Sequence, residues 1–167
     1  MSDKHDEPSA YQKLWAKIKE VRIAMMTTRE ADGTLRSRPM GTQQSESDGE
    51  LWFFTGYDSG KVDELRRNPH VNLSYGAPDK NLYVSVSGTA EIVRDAAKAK
   101  ELWNPFLKAW FPKGLDDPDL ALLRVTVTQA EYWDSPDSKV VTLVGFVKAI
   151  VTGQQADGGE NEKLDLS

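Results

Sequence analysis

One stretch restricts the fold more than any other: Leu82–Val93, in which apolar and polar side chains alternate. Leu82, Val84 and Val86 fall on one face, and Tyr83, Ser85 and Ser87 on the other. A period of two belongs to a strand with one buried and one wet face; a helix would scatter these residues around its circumference. Leu122–Trp133 repeats the pattern, with Leu123, Val125 and Val127 set against Arg124, Thr126 and Thr128. Gly88 lies in the middle of the first run, where a bulge or bend of a barrel strand belongs. Sheets that face water on one side are antiparallel, so the two runs point to an antiparallel, mainly β chain.

The rest of the sequence agrees. Arg22–Arg29 and Leu35–Gln44 flank Asp32-Gly33, a hairpin turn. Ser47-Asp48-Gly49 is a second turn, before the short strand Glu50–Thr55, so three strands form a meander. His70–Gly76 adds a strand before the turn Pro78–Asn81. Helices are few. Ser9 is placed to cap one over roughly 10–21, where Leu14, Ile18 and Val21 recur at helical spacing. Ser59–Asn68 reads as another, capped by Asp58 or Ser59 and stopped by Pro69, and Asp95 opens a third over about 96–103. For Val140–Val151 strand and helix both stay open, with Leu143, Phe146, Val147, Ile150 and Val151 fitting a helical stripe better. There is no βαβ alternation, Gly-x-Gly-x-x-Gly or Walker A motif, and no repeat. The expectation is a six-stranded antiparallel β-barrel with peripheral helices, a closure that removes sheet edges. Residues 1–8 read as a disordered lead, 9–152 as the one folded domain and 153–167 as a polar acidic tail.

Charge narrows the function classes. The 167 residues carry 21 basic and 26 acidic groups, a formal charge of −5. The ends hold all of that excess, and residues 9–152 balance 19 against 19. Duplex DNA requires a cationic surplus, so nucleic acid is not an expected partner, whereas one local anion site remains open. There is no cysteine, which excludes disulfides, thiolate nucleophiles and Cys-zinc sites. Two distant histidines, His5 and His70, do not make a metal site, and redox work would need a bound cofactor. No apolar run reaches the ~20 residues of a membrane span, and the acidic start lacks a signal-peptide pattern. A cytoplasmic protein with no membrane partner is the expectation.

Three segments could carry chemistry. Arg36 and Arg38 share one face of the second strand with no acid between Gly33 and Ser45. They are either two solvated arginines or a grip on an anion such as phosphate. Phe54-Thr55-Gly56-Tyr57-Asp58-Ser59-Gly60-Lys61 joins a strand to a helix start. It is either a capped loop or an anion site built from helix amides, a hydroxyl and a lysine. Trp103, Phe106, Trp110 and Phe111 are either packing for the core or a lid, or a platform for a planar ring or a subunit interface.

In order, the motifs Ser37-Arg38-Pro39-Met40, Leu51-Trp52-Phe53-Phe54-Thr55, Ser59-x-Lys61 and Leu65-Arg66-Arg67-Asn68-Pro69-His70-Val71 carry a resemblance. So do Tyr83-Val84-Ser85-Val86-Ser87-Gly88-Thr89-Ala90, Trp110-Phe111-Pro112-x-Gly114 and Glu131-Tyr132-Trp133-Asp134. Together they resemble the pyridoxamine 5′-phosphate oxidase-like flavin-binding split-barrel superfamily, and within it the general stress protein 26 group, from about residue 12 to 152. The resemblance implies a homodimer with flavin mononucleotide (FMN), or the dinucleotide FAD, in clefts between subunits. It assigns cofactor-binding roles to Arg38, Met40, Phe54, Thr55, Ser59 and Lys61; Pro39 between them and Trp103 and Trp110 of the aromatic stretch complete the candidate cofactor-binding set. It gives no catalytic residue and no metal.

The departures matter as much. Oxidases of the family carry a lysine where this chain has Gln43, and Arg-Lys where it has Gly60-Lys61. The last forty residues hold no histidine and no arginine, so the C-terminal Arg-x-His-Asp-Arg signature is missing. The expected function is therefore flavin binding in a stress-related protein, with weak or unknown oxidoreductase activity. Pyridoxamine 5′-phosphate oxidation is the alternative that these absences argue against. A non-enzymatic small-barrel binding module is the second.

Overall fold

Ser9 starts the first element with a capping box: its hydroxyl accepts from the Gln12 amide at 3.1 Å, and the Gln12 side chain accepts from the Ser9 amide at 2.8 Å. The helix α1 (Ala10–Ile18) buries Tyr11, Leu14 and Ile18 against the sheet. It ends three residues before the expected Val21, because Arg22 turns the chain through a left-handed conformation (φ 59°) into the first strand. A computed structural model describes residues 7–43, 49–135, 147–155 and 159–167.

The strands are β1 (Ile23–Arg29), β2 (Leu35–Gly41), β3 (Glu50–Gly56), β4 (His70–Ala77), β5 (Leu82–Val93) and β6 (Leu120–Asp134). Between them lie α2 (Gly60–Arg67) and α3 (Ala96–Leu102). The sheet runs β2-β1-β4-β5-β6-β3, every pair antiparallel. Its two ends, β2 and β3, meet at one bridge, where the Gln43 amide donates to the Trp52 carbonyl at 2.8 Å. The sheet is thus curled into a barrel split along one seam. β5 occupies the alternating run read from the sequence, and its inward residues Val84, Val86 and Ala90 are buried. Leu73, Phe53, Met26 and Leu123 fill the centre, each contributing on the order of 1.5–3 kcal/mol by burial.

Gly88 has the predicted role. The β5–β6 register shifts after Ser87, and the extra β6 residue, Thr128, donates its hydroxyl to the Ser87 carbonyl at 3.1 Å. A Cβ on Gly88 would lie 2.2 Å from the Thr126 carbonyl oxygen, so no other residue fits without moving backbone.

The reading of the tail is corrected. Within 153–167, Glu160–Asp165 forms a seventh strand, β7, antiparallel to the second half of β6. β3 takes the first half of that same edge, so Thr128 marks where the two strands divide it. The buried Leu164 anchors β7, and the Tyr132 hydroxyl meets both Glu160 (2.5 Å) and Glu162 (2.6 Å). Lys17 of α1 pairs with Asp134 and Glu160, and Lys13 with Glu162. The turn residues Ser47 and Asp48 and the segment 140–146 lie outside the described residues; 147–152 are helical.

Candidate functional site

The split in the barrel makes the site. β2 and β3 each have a full strand partner on one side only, and away from the Gln43–Trp52 bridge they part around a cleft of about 590 Å³. Ligand pockets of this size suit a drug-sized or cofactor-sized molecule. Pro39 and Met40 of β2 and Phe54 of β3 line it, joined by Ile23, Leu107, Trp110 and Phe111. Thr55, Lys61, Gln43 and Asp119 supply its polar groups.

The aromatic side is carried by a short 3-10 turn, Pro105–Ala109. Asn104 opens it, its side-chain oxygen accepting from the Phe106 amide at 3.2 Å while its amide donates to the Gln43 side chain at 3.4 Å. The turn is thereby tied to the seam. Phe54 meets Trp103 edge-on (5.9 Å, 87°) and Phe111 at a tilt (6.4 Å). Trp110 is 73% exposed at the cleft.

The polar side contains two cations in opposite situations. Arg38 is paired: it donates to Thr28 Oγ1 at 2.7 Å and to Glu64 Oε2 at 3.1 Å, and Thr28 donates to the same carboxylate oxygen at 2.8 Å. Lys61 donates to Thr55 Oγ1 at 2.7 Å and has no ion-pair partner among the described residues. Burial pushes its ammonium below the usual lysine range, the nearby Arg38 pushes it further, and Glu64 opposes them. An anion beside Lys61 would reverse that shift.

Two further polar groups lie close to Lys61 and Gly56. Ser59 is the N-cap of α2, yet its hydroxyl makes no capping bond and is buried without a partner. A buried hydroxyl left unpaired costs about 1–3 kcal/mol, and it sits at the positive end of a helix. Asp119 accepts from the Asp58 amide at 3.1 Å, and its carbonyl accepts from the Tyr57 amide at 2.8 Å. Its carboxylate approaches so closely that a Cβ on Gly56 would lie 2.7 Å away.

Of the residues proposed from the sequence, Pro39, Met40, Phe54, Thr55, Lys61 and Trp110 come together in the cleft. Ser59 stands at the start of the helix that carries Lys61. Trp103 lies behind Phe54 and braces it, and Arg38 is turned to Glu64 rather than to the cleft lining. Sequence reasoning missed Asp119, Leu107 and Ile23, which enter from distant elements. Among the described residues no group of three His, Asp or Glu could hold a metal, and no helix is long and apolar enough to cross a membrane.

Comparison with known proteins gives a consistent result. Residues 9–157 match the family model described as pyridoxamine 5′-phosphate oxidase like. Protein bli-3 of Neurospora crassa is 36% identical over 145 residues, covering 81% of this chain and 69% of that protein. A Jannaschia sp. CCS1 structure assigned to general stress protein 26 superposes with a TM-score of 0.72 at 26% identity, covering 92% of this chain and 96% of its own. The general stress FMN/FAD binding protein of Xanthomonas citri superposes with a TM-score of 0.65 at 32% identity, covering 75% of this chain and 88% of its own.

Proposed function

The chain belongs to the pyridoxamine 5′-phosphate oxidase-like family of split barrels, and from that premise we propose that the seam cleft binds a flavin nucleotide, FMN in the first place. The observation that carries this reading is the Ser59 hydroxyl at the α2 N-terminus, without a partner among the described residues and two positions before Lys61, which has no ion-pair partner among them. A phosphate there would accept from Ser59 Oγ, Lys61 Nζ and the first α2 amides, satisfying a buried donor and a buried cation together. Pro39, Met40, Phe54 and Trp110 would flank the ring, and Thr55, Gln43 and Asp119 offer hydrogen bonds to its polar edge. A bound flavin supplies one- and two-electron transfer, and the protein's part is to place the ring and restrict its access to solvent. The Xanthomonas citri relative, named for both FMN and FAD, supports flavin as the class.

The proposal includes a homodimer. Ile23 lines the cleft and is 55% exposed, and it adjoins Met25 (43%) on the same outward face of β1. Farther along the sheet, Tyr83 and Trp133 are outward neighbours in register, 47% and 43% exposed. An apolar band of this kind, running into the rim of a cleft, is what a second copy would cover.

Quenching of FMN fluorescence on titration tests the binding reading. Saturable binding is expected, and Lys61→Gln weakens it about tenfold or more, since a charged hydrogen bond is worth roughly 1.5–3 kcal/mol. Absence of binding to FMN and FAD at low salt overturns the reading. Sedimentation equilibrium tests the dimer, and a monomer at micromolar concentration overturns that part alone.

A further inference from the structure

A second cleft of about 460 Å³ lies between α2 and the end of β5, lined by Tyr57, Leu65, Arg66, Ile92, Glu91 and Arg94. Its floor is the Tyr57 ring, with the Arg94 guanidinium 3.6 Å and that of Arg66 5.2 Å from the ring centre. Arg66 projects from a different side of α2 than Lys61 and Glu64, because residues five apart on a helix are about 140° apart. The seam cleft and this one therefore flank the same helix, and none of the residues lining one lines the other.

The charge in this cleft is not balanced from within. Arg94 donates to the Pro118 carbonyl at 3.0 Å and has no ion-pair partner among the described residues. Arg66 has only Asp63, at 3.8 Å, one turn back on the exposed helix surface. The one carboxylate in the lining, Glu91, is held by Arg124 at 2.5 Å. Asp95, next to Arg94, accepts the Lys98 amide as the cap of α3. Two guanidiniums thus lie within cation–π distance of one phenol ring, and among the described residues neither is neutralised in a close ion pair. Two guanidiniums lining one cavity, with donors left over, suit the binding of a tetrahedral oxyanion.

We propose that the Arg66–Tyr57–Arg94 cleft is a second anion site, for a phosphate group, separate from the seam cleft. Its ligand is inorganic phosphate or the phosphate of a nucleotide, and the two sources share the same contacts. Because Tyr57 is covalently adjacent to Gly56 of the seam cleft, the two sites share the loop that leads into α2.

The test is a titration of the full chain with inorganic phosphate and, separately, with adenosine monophosphate, followed by amide chemical shifts. Saturable shifts at Tyr57, Ile92 and Arg94 are expected for at least one probe. Arg66→Gln and Arg94→Gln, made singly so that one folded variant suffices, each weaken that binding about tenfold. Both variants leave FMN affinity unchanged within twofold, and Lys61→Gln leaves the phosphate shifts at Ile92 and Arg94 in place. Tighter binding of adenosine monophosphate assigns the site to a nucleotide, and equal binding assigns it to free phosphate. The proposal is overturned if neither probe shifts these amides, or if the shifts survive both arginine variants. It is also overturned if the shifts vanish in Lys61→Gln alone, which would return the phosphate to the seam cleft. Failure of FMN to bind, with these shifts intact, would remove the flavin reading and leave this one standing.

Discussion

The closed side of the barrel and its seam are built from the same kind of strand and treat their polar groups in opposite ways. Across β4, β5 and β6 the pairing runs for eight and then, interrupted only by the bulge at Thr128, twelve partner positions, and the inward residues are apolar and buried. Between β2 and β3 there is one bridge among the described residues, the cleft beyond it is lined by a lysine with no ion-pair partner there and by Phe54, Trp110 and Phe111, and the unsatisfied Ser59 stands two residues before that lysine. The closed side holds the fold together, and the seam side leaves polar groups incompletely paired among the described residues. Stability and affinity should therefore respond to different residues.

The largest effect is expected on the closed side. Gly88→Ala forces a Cβ into the Thr126 carbonyl, and a loss of about 3 kcal/mol or more is expected in urea unfolding, with any retained folded fraction still binding flavin. Arg38→Met comes next. It leaves Glu64 and Thr28 without their cation in a site where both charged side chains are only 16% exposed, so a loss of about 2–3 kcal/mol is expected. The double variant with Glu64→Gln should recover most of it, and recovery of nothing would mean that Arg38 acts through something other than this pair. Ser59→Ala sharpens the contrast from the seam side: stability rises by about 1–3 kcal/mol, because no capping bond is lost and an unsatisfied buried hydroxyl is removed, while FMN affinity falls several-fold.

The smallest effect is expected at β7. The Tyr132 hydroxyl holds the Glu162 carboxyl below its ordinary value of 4.5, against burial and with help from Lys13 and Lys17. A carboxyl depressed in the folded state stabilises above its unfolded pKa and loses that contribution as pH falls through the folded one. Amides 160–165 should therefore lose protection as pH drops below about 4.5 while β5 amides stay protected. Simultaneous loss would show that β7 is part of the same cooperative unit as the closed side.

How far the sequence reveals this molecule follows the same division. β5 and β6 are legible because each alternates over many residues and each residue's face is set locally. β7 is not, because Glu-Asn-Glu-Lys-Leu-Asp has one buried residue and owes its place to Tyr132, Lys13 and Lys17, which lie far away in sequence. In the site, Thr55, Ser59 and Lys61 are legible because strand end, cap and helix start follow one another within seven residues. The employment of Arg38 is not, since Glu64 lies on a helix 26 residues on, and Asp119 gives no local sign that it closes on Gly56.

The Gln43–Trp52 bridge has one more consequence. A barrel fastened by a full ladder would have to unzip to admit a flat molecule between two of its strands. Here, among the described residues, the fastening is one main-chain hydrogen bond, worth about 1 kcal/mol. The same glutamine also holds, through Asn104, the turn that carries Leu107 and leads to Trp110. One residue therefore ties an edge of the cleft to its aromatic cover, so a local opening at Gln43 would free both together and leave the core untouched.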